Sequence, residues 1–357
     1  MLTSWPDSNE PALRGVAFTY DNALAVLALS ACGEPELARR VGTALLYAQE
    51  HDRYWRDGRL RNAYAAGGLA SGAVKLGGWW STDQQRWQED GYQAGSDSGN
   101  QAWALLALLA LADAGHPQYL QGAVKLGSWL VTRLDARGVA GFAGGLQGEE
   151  PQPVVQRWKS TEHNVDLAAA FTQLAQRQND ARWTQAAQQA QRFVTAMWSS
   201  RCGCFAAGTQ EDGFTPNALR ALDAQVLPLL GLPQATRRYA QALDTARNRL
   251  AARGGGLRYS DAPGALWTEG TAQTALLYRL MQRQSEAGSL LALLTAQRDA
   301  QGRYYAAGPG GVATGLGLAT APQTERVYER RPHLAALAWV ALAEQGWNPF
   351  TLARRLP

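Results

Sequence analysis

The sequence predicts an all-α protein in which helices form two concentric rings. Three observations point to it. Segments apolar on every face recur along the 357-residue chain. Each is followed by a segment apolar on one side only. A polar cluster with an acid or an amide stands where most of the all-apolar segments begin. A helix that is apolar all round is buried, and a half-wet helix covers it.

Residues 1–17 are interrupted by Pro and Gly and read as an irregular lead-in. From Thr19 to Ala31 the run Ala23-Leu24-Ala25-Val26-Leu27-Ala28-Leu29 is apolar almost all round. Gly33 stops it and Pro35 opens an amphipathic helix to Glu50, with Arg39, Arg40 and Gln49 on its wet side. The pair then recurs. Gln101–Ala114 is of the buried type and Pro117–Arg133 is half-wet; Asn164–Ala175 is buried and Asp180–Trp198 half-wet. Leu219–Leu230 and Pro233–Ala252 follow, then Thr271–Met281 and Glu286–Gln297, and Leu334–Ala343 is the last buried helix. Gly-plus-aromatic loops such as Gly141-Phe142-Ala143-Gly144 and Gly256-Leu257-Arg258-Tyr259 join the units as short extended pieces. No apolar run suits a central sheet. No sixth outer helix is visible after Trp347-Asn348-Pro349-Phe350, so the tail is a candidate to close the ring.

Composition narrows the function. Hydrophobic residues make up 46% of the chain and charged ones 18%, as expected for a large core rather than disorder. The net charge of +4 is carried by arginines scattered among acids, which argues against a nucleic-acid surface. No apolar run approaches a membrane span. Met1-Leu2-Thr3-Ser4-Trp5-Pro6 lacks the basic start and apolar core of a signal peptide. The expectation is a cytoplasmic protein, or a periplasmic or secreted one if the chain is a trimmed mature domain. Cys32 reads as a small core residue. Cys202-Gly203-Cys204 reads as too tight for an easy bridge and has no zinc-ligand spacing around it. Neither a metal nor a cofactor is expected.

The densest polar cluster is Ser160-Thr161-Glu162-His163-Asn164-Val165-Asp166, which runs straight into Leu167-Ala168-Ala169-Ala170-Phe171. Similar clusters open the other buried helices: Thr19-Tyr20-Asp21-Asn22, Asp97-Ser98-Gly99-Asn100 before Trp103, Leu222-Asp223, and Trp267-Thr268-Glu269-Gly270. With His333-Leu334-Ala335-Ala336-Leu337-Ala338-Trp339 and Gly346-Trp347-Asn348-Pro349-Phe350, this pattern resembles the six-hairpin glycosidase superfamily, in particular bacterial members associated with polysaccharides. The resemblance spans about residues 18–350. It implies an (α/α)6 toroid with short β-like loops and makes 1–357 a single catalytic-type domain. It further implies action on glycosidic bonds at the end where the inner helices begin, by inversion. Carbohydrate is the implied partner, together with exopolysaccharide machinery.

The chemistry of the residues agrees with that implication. Parallel inner helices gather several N-termini around one funnel, and each N-terminus favours a carboxylate. Glycoside hydrolysis needs two carboxyl groups, one protonated and one ionised. Crowding and partial burial among Asp21, Asp97, Glu162, Asp223 and Glu269 would raise one of them. Glu162 is the candidate general acid. Glu269 is the candidate base, with Asp21 as second choice. Each also suits a plain helix cap. Candidate substrate contacts are Tyr20, Asn22, Asp97, Asn100, Trp103, Trp158, His163, Asp166, Asp223, Trp267 and Arg326, plus Trp79 and Trp80 in the aromatic and acidic loop from Trp79 to Asp97. Arg157, Lys159 and Tyr328 could line the same mouth.

Two other readings compete with a hydrolase. A polysaccharide lyase would use Tyr20 or His163 as base, with Arg326 neutralising a uronate. A non-catalytic glycan-binding component of an exopolysaccharide system would keep the ring but lack a complete acid/base pair.

Overall fold

The computed structural model describes residues 1–68, 74–318 and 321–357, and helices dominate it. In chain order they are α1 (Thr19–Ala31), α2 (Pro35–Glu50), the single turn α3 (Gly91–Ala94), α4 (Ser98–Asp113), α5 (Gln118–Val131), α6 (Thr161–Arg177) and α7 (Ala181–Ala196). There follow α8 (Leu222–Gly231), the short α9 (Ala235–Arg238), α10 (Ala240–Arg249), α11 (Thr268–Leu280), α12 (Gln284–Thr295) and α13 (Leu334–Gln345).

The inner ring is α1, α4, α6, α8, α11 and α13. Each packs on the next, and α13 packs back on α1, so the ring closes. The outer helices α2, α5, α7, α10 and α12 each cover the inner helix before them. This division follows the residues. Every position of α4 from Gln101 to Leu109 is buried, so only small or apolar side chains fit its flanks. In α2 burial is confined mainly to one stripe, Ala38, Val41, Ala44, Leu45 and Ala48. No described helix is long and apolar enough to cross a membrane.

Several boundaries differ from the sequence reading for physical reasons. Helices α4, α6 and α11 begin three residues before their apolar runs, because their first turns face the funnel and stay polar. The expected helix Pro233–Ala252 is broken at Tyr239, whose buried ring packs on Trp198 and Phe205. The strands form short pairs and one three-stranded sheet of Ser96–Asp97, Gly145–Gln147 and Val154–Gln156, apart from a longer hairpin of Val312–Leu318 with Ala321–Tyr328 that the sequence reading missed. Cys202 and Cys204 do form a disulfide, contrary to expectation. Gly203, with φ +61°, lets the turn fold so tightly that the two Cα atoms stand 5.2 Å apart, an ordinary bridge separation.

The tail lies across the far ends of the inner helices. Asn348 Nδ2 donates to the carbonyls of Leu230 and Arg355, and Gln173 Nε2 donates to the Phe350 carbonyl. The Phe350 ring is buried 5.2 Å from the Trp103 ring, forming a plug beneath the funnel.

Candidate active site

The helix beginnings converge. Tyr20 of α1 donates from Oη to Glu269 Oε2 of α11 at 3.1 Å and accepts from Trp339 Nε1 of α13 at 2.8 Å. His333, just before α13, lies with Nε2 3.3 Å from Asp21 Oδ2 and Nδ1 3.3 Å from Glu269 Oε1. First-turn residues of three helices can meet in this way only if those helices start at the same end of the ring.

The acids are not caps. Ser160 caps α6 by accepting from the His163 amide at 3.2 Å, which leaves Glu162 free to project. Thr268 donates to the Tyr305 carbonyl, and α11 has no side-chain cap. Asp97 occupies the N-cap position of α4 without capping it. Asp223 differs, accepting from the Ala224 amide at 2.6 Å.

Two chemically distinct groups result. In the first, Glu162 shares a hydrogen bond with Asp223, and Asp166 sits one helical turn below Glu162. Two carboxyl groups in such contact must hold a proton between them. Desolvation raises Glu162 well above the carboxylate range, and the Asp223 and Asp166 carboxyls add to the effect. Burial, only partly offset by the Glu162 hydrogen bond, puts Asp223 at about 6. Asp166 is fully buried and also raised, by burial first; it faces the Trp103 indole without an aligned hydrogen bond.

The second group is ionic. Burial opposes charge on His333, but Asp21 and Glu269 outweigh it and push the imidazole up to about 9. The cation therefore sits between two buried carboxyl groups. Its two 3.3 Å contacts are ionic, since Asp21 Oδ2, Glu269 Oε1 and His333 Nδ1 lack hydrogen-bond alignment. Trp5 lies flat over the imidazole.

Other residues form the rim. Burial raises Asp97 to about 7, against the pull of Asn62 and Arg326. Asn100 Nδ2 donates to Asn62 Oδ1 at 2.7 Å. Burial lowers His163 to about 4, so its ring is neutral. The ring lies beside Trp158 and over Gly99, where a Cβ would come within 2.5 Å of Cδ2. Trp267 is buried behind Tyr259. Arg326 and Tyr328 descend from the hairpin, with Arg326 Nη2 donating to Tyr328 Oη at 3.2 Å.

Some expectations need correction. Asn22 donates to the Leu2 and Phe18 carbonyls and accepts from the Leu2 amide, so it anchors the lead-in rather than facing the funnel. Trp79 and Trp80 belong to the hairpin Trp79–Ser81/Arg86–Gln88, where Trp80 pairs with Trp87 and is 58% exposed. Lys159 is buried and donates to the carbonyls of Arg137 and Val139. Trp103 and Asp166 are floor residues sealed from solvent.

His333 and Trp5 carried no assigned role in the sequence reading. His333 had a signal: it stands where every other inner helix begins with an assigned polar residue. Trp5 had none, because an irregular segment has no period to place its ring.

No protein-family model matches the sequence, and no curated protein matches it. Solved structures do match it. A glycosidase variant in complex with glucose has a TM-score of 0.65 at 14% identity, over 96% of this chain and 91% of that one. A cellobiose 2-epimerase from Bacillus thermoamylovorans gives 0.63 at 11% identity, with the same coverage of 96% and 91%. A GH76 α-mannanase from Bacteroides thetaiotaomicron gives 0.57 at 13%, again over 96% and 91%. At these identities the likeness is one of fold. The shared fold is an all-α toroid of inner and outer helices.

Proposed function

We propose that the protein is a glycoside hydrolase that cleaves a polysaccharide or oligosaccharide with inversion at the funnel of inner-helix beginnings. Glu162 is the general acid. It protonates the glycosidic oxygen as the bond to the anomeric carbon breaks. Glu269 is the base and takes a proton from the water that attacks the opposite face of that carbon, with Asp21 as the alternative. The observation that carries this reading is the contrast between the two groups. Burial and the Asp223 carboxyl raise Glu162 well above the carboxylate range, while Glu269 and Asp21 flank the raised His333 imidazole. An acid and a base held in different environments in one site are what the reaction requires. Fold neighbours that include an α-mannanase and a glycosidase bound to glucose support the reading.

The lyase reading has less support. It needs Tyr20 or His163 as base, yet burial and the nearby Glu269 hold Tyr20 well above its ordinary value, and His163 is only weakly basic. Release of reducing ends from a panel of polysaccharides, with product anomers followed by NMR, tests the proposal. Wild-type protein should cleave one of them, and Glu162→Gln and Glu269→Gln should each lose at least about a hundredfold in rate. Wild-type rates in both variants would remove the assignment.

A further inference from the structure

The rim carries an arginine whose charge the protein does not answer. Arg326 is exposed at the mouth and donates from Nη2 to the Tyr328 hydroxyl at 3.2 Å. It forms no ion pair among the described residues, whereas Arg53, Arg61, Arg137 and Arg303 are each held by carboxylates. None of residues 69–73 or 319–320 is an acid, so the sequence supplies no further partner there.

Its partner Tyr328 places it at the funnel: the Tyr328 ring lies 6.1 Å from Tyr259, 6.1 Å from Trp267 and 6.2 Å from His333. Charge on Arg326 is felt by Tyr92 and Asp97 ahead of α4, by Tyr259 ahead of α11, and by Glu162 in α6. Asp97 and Glu162, the acids its charge reaches, are both raised by burial, Asp97 to about 7. The phenols beside it can donate. Tyr328 accepts from Arg326 and keeps its own O–H proton to give, and burial holds both Tyr92 and Tyr328 above the ordinary phenol range. A planar guanidinium fork beside phenol donors matches a carboxylate, whose two coplanar oxygens accept from both at once.

We propose that the funnel mouth binds a sugar residue bearing a carboxylate, a uronic acid unit of the glycan, with Arg326 as its counter-ion. This rests on the glycoside hydrolase reading above and names its substrate class. The charge on Arg326 reaches the general acid, which puts the uronate in a subsite near the bond to be cleaved.

Binding separates this inference from the hydrolase reading. The full chain carrying Glu162→Gln is titrated by calorimetry with glucuronate, galacturonate and mannuronate oligosaccharides, their carboxyl-reduced counterparts, and sulfated counterparts. At least one uronate ligand should bind about tenfold or more tighter than its reduced form, as expected for a charge-assisted bidentate contact. Adding Arg326→Gln should erase that preference while the thermal midpoint stays unchanged. Equal affinity for every uronate and its reduced partner would overturn the proposal. So would a preference that survives Arg326→Gln, and a sulfated ligand that binds tighter would overturn the carboxylate assignment. If a uronate ligand is preferred but wild-type protein never cleaves it, the hydrolase reading falls and the subsite stands.

Discussion

Trp5 lies on His333 with ring centroids 3.9 Å apart and planes within 16° of parallel. The imidazole beneath it holds a positive charge between Asp21 and Glu269, and the indole face is a favourable neighbour for that charge. The lead-in is therefore part of the site, and two ties fix it there. Asn22 holds Leu2, and Ser4 Oγ accepts from the Phe18 amide at 2.8 Å.

This arrangement predicts a particular dependence of stability on pH. The pKa of His333 is raised on folding, from 6.5 to about 9. A raised basic group stabilises fully below its unfolded value and loses that contribution as pH rises through its folded value. His333 should thus contribute about 3 kcal/mol near pH 6, vanishing by about pH 9.5. Urea unfolding of wild type and His333→Gln across this range checks it: wild type should lose the larger share of stability. Parallel curves for the two proteins would show that the imidazole carries no charge.

The acid pair predicts where activity fails at high pH. Asp223 is among the carboxyl groups that hold Glu162 up. Asp223→Asn removes that like charge, so the Glu162 proton is lost earlier. The alkaline limb of kcat against pH should move down by about one unit or more. An unshifted limb would mean that the group titrating there is not Glu162.

Asp97 gives a prediction of opposite benefit. Its folded pKa of about 7 lies above the ordinary carboxyl value of 3.8, so between these values the folded state holds a proton the unfolded state has lost. Stability from this group is complete below the unfolded value and drains away as pH climbs through 7. Asp97→Asn, which cannot ionise, should match wild type near pH 3.5 and exceed it above pH 8 by up to about 4 kcal/mol. Denaturant midpoints at the two pH values measure the difference.

Much of this architecture was legible from local pattern. Burial on all faces forces residues such as Ala102 to Leu109 to be small or apolar, and that leaves a mark any window of sequence displays. The acids were legible because Asp21, Glu162, Asp223 and Glu269 repeat one position relative to one kind of helix. What stayed hidden depends on distance through space. His333 gains its meaning from α1 and α11, which are remote in sequence, and nothing near residue 333 announces them. The hairpin of Val312–Leu318 with Ala321–Tyr328 was obscured by its glycines, and Gly315 at φ +76° sits where regular strand alternation breaks.

The tail supplies the last prediction, because the ring has no sixth outer helix after α13 among the described residues. Phe350 is 2% exposed and packs against Trp103, the same ring that meets Tyr20 edge-on at 5.6 Å and Trp339 at 5.5 Å. Tyr20 and Trp339 in turn place the hydroxyl that donates to Glu269. Phe350→Ala would open a cavity directly under that aromatic stack and should cost about 3–5 kcal/mol of stability. Because the floor then loses a wall, Trp103 should gain freedom, and the rate should fall at temperatures well below unfolding. Phe350→Leu, which keeps most of the volume, should recover most of both losses. Stability that recovers in Phe350→Leu without any recovery of rate would mean that the aromatic ring itself, rather than the filled space, holds the site in place.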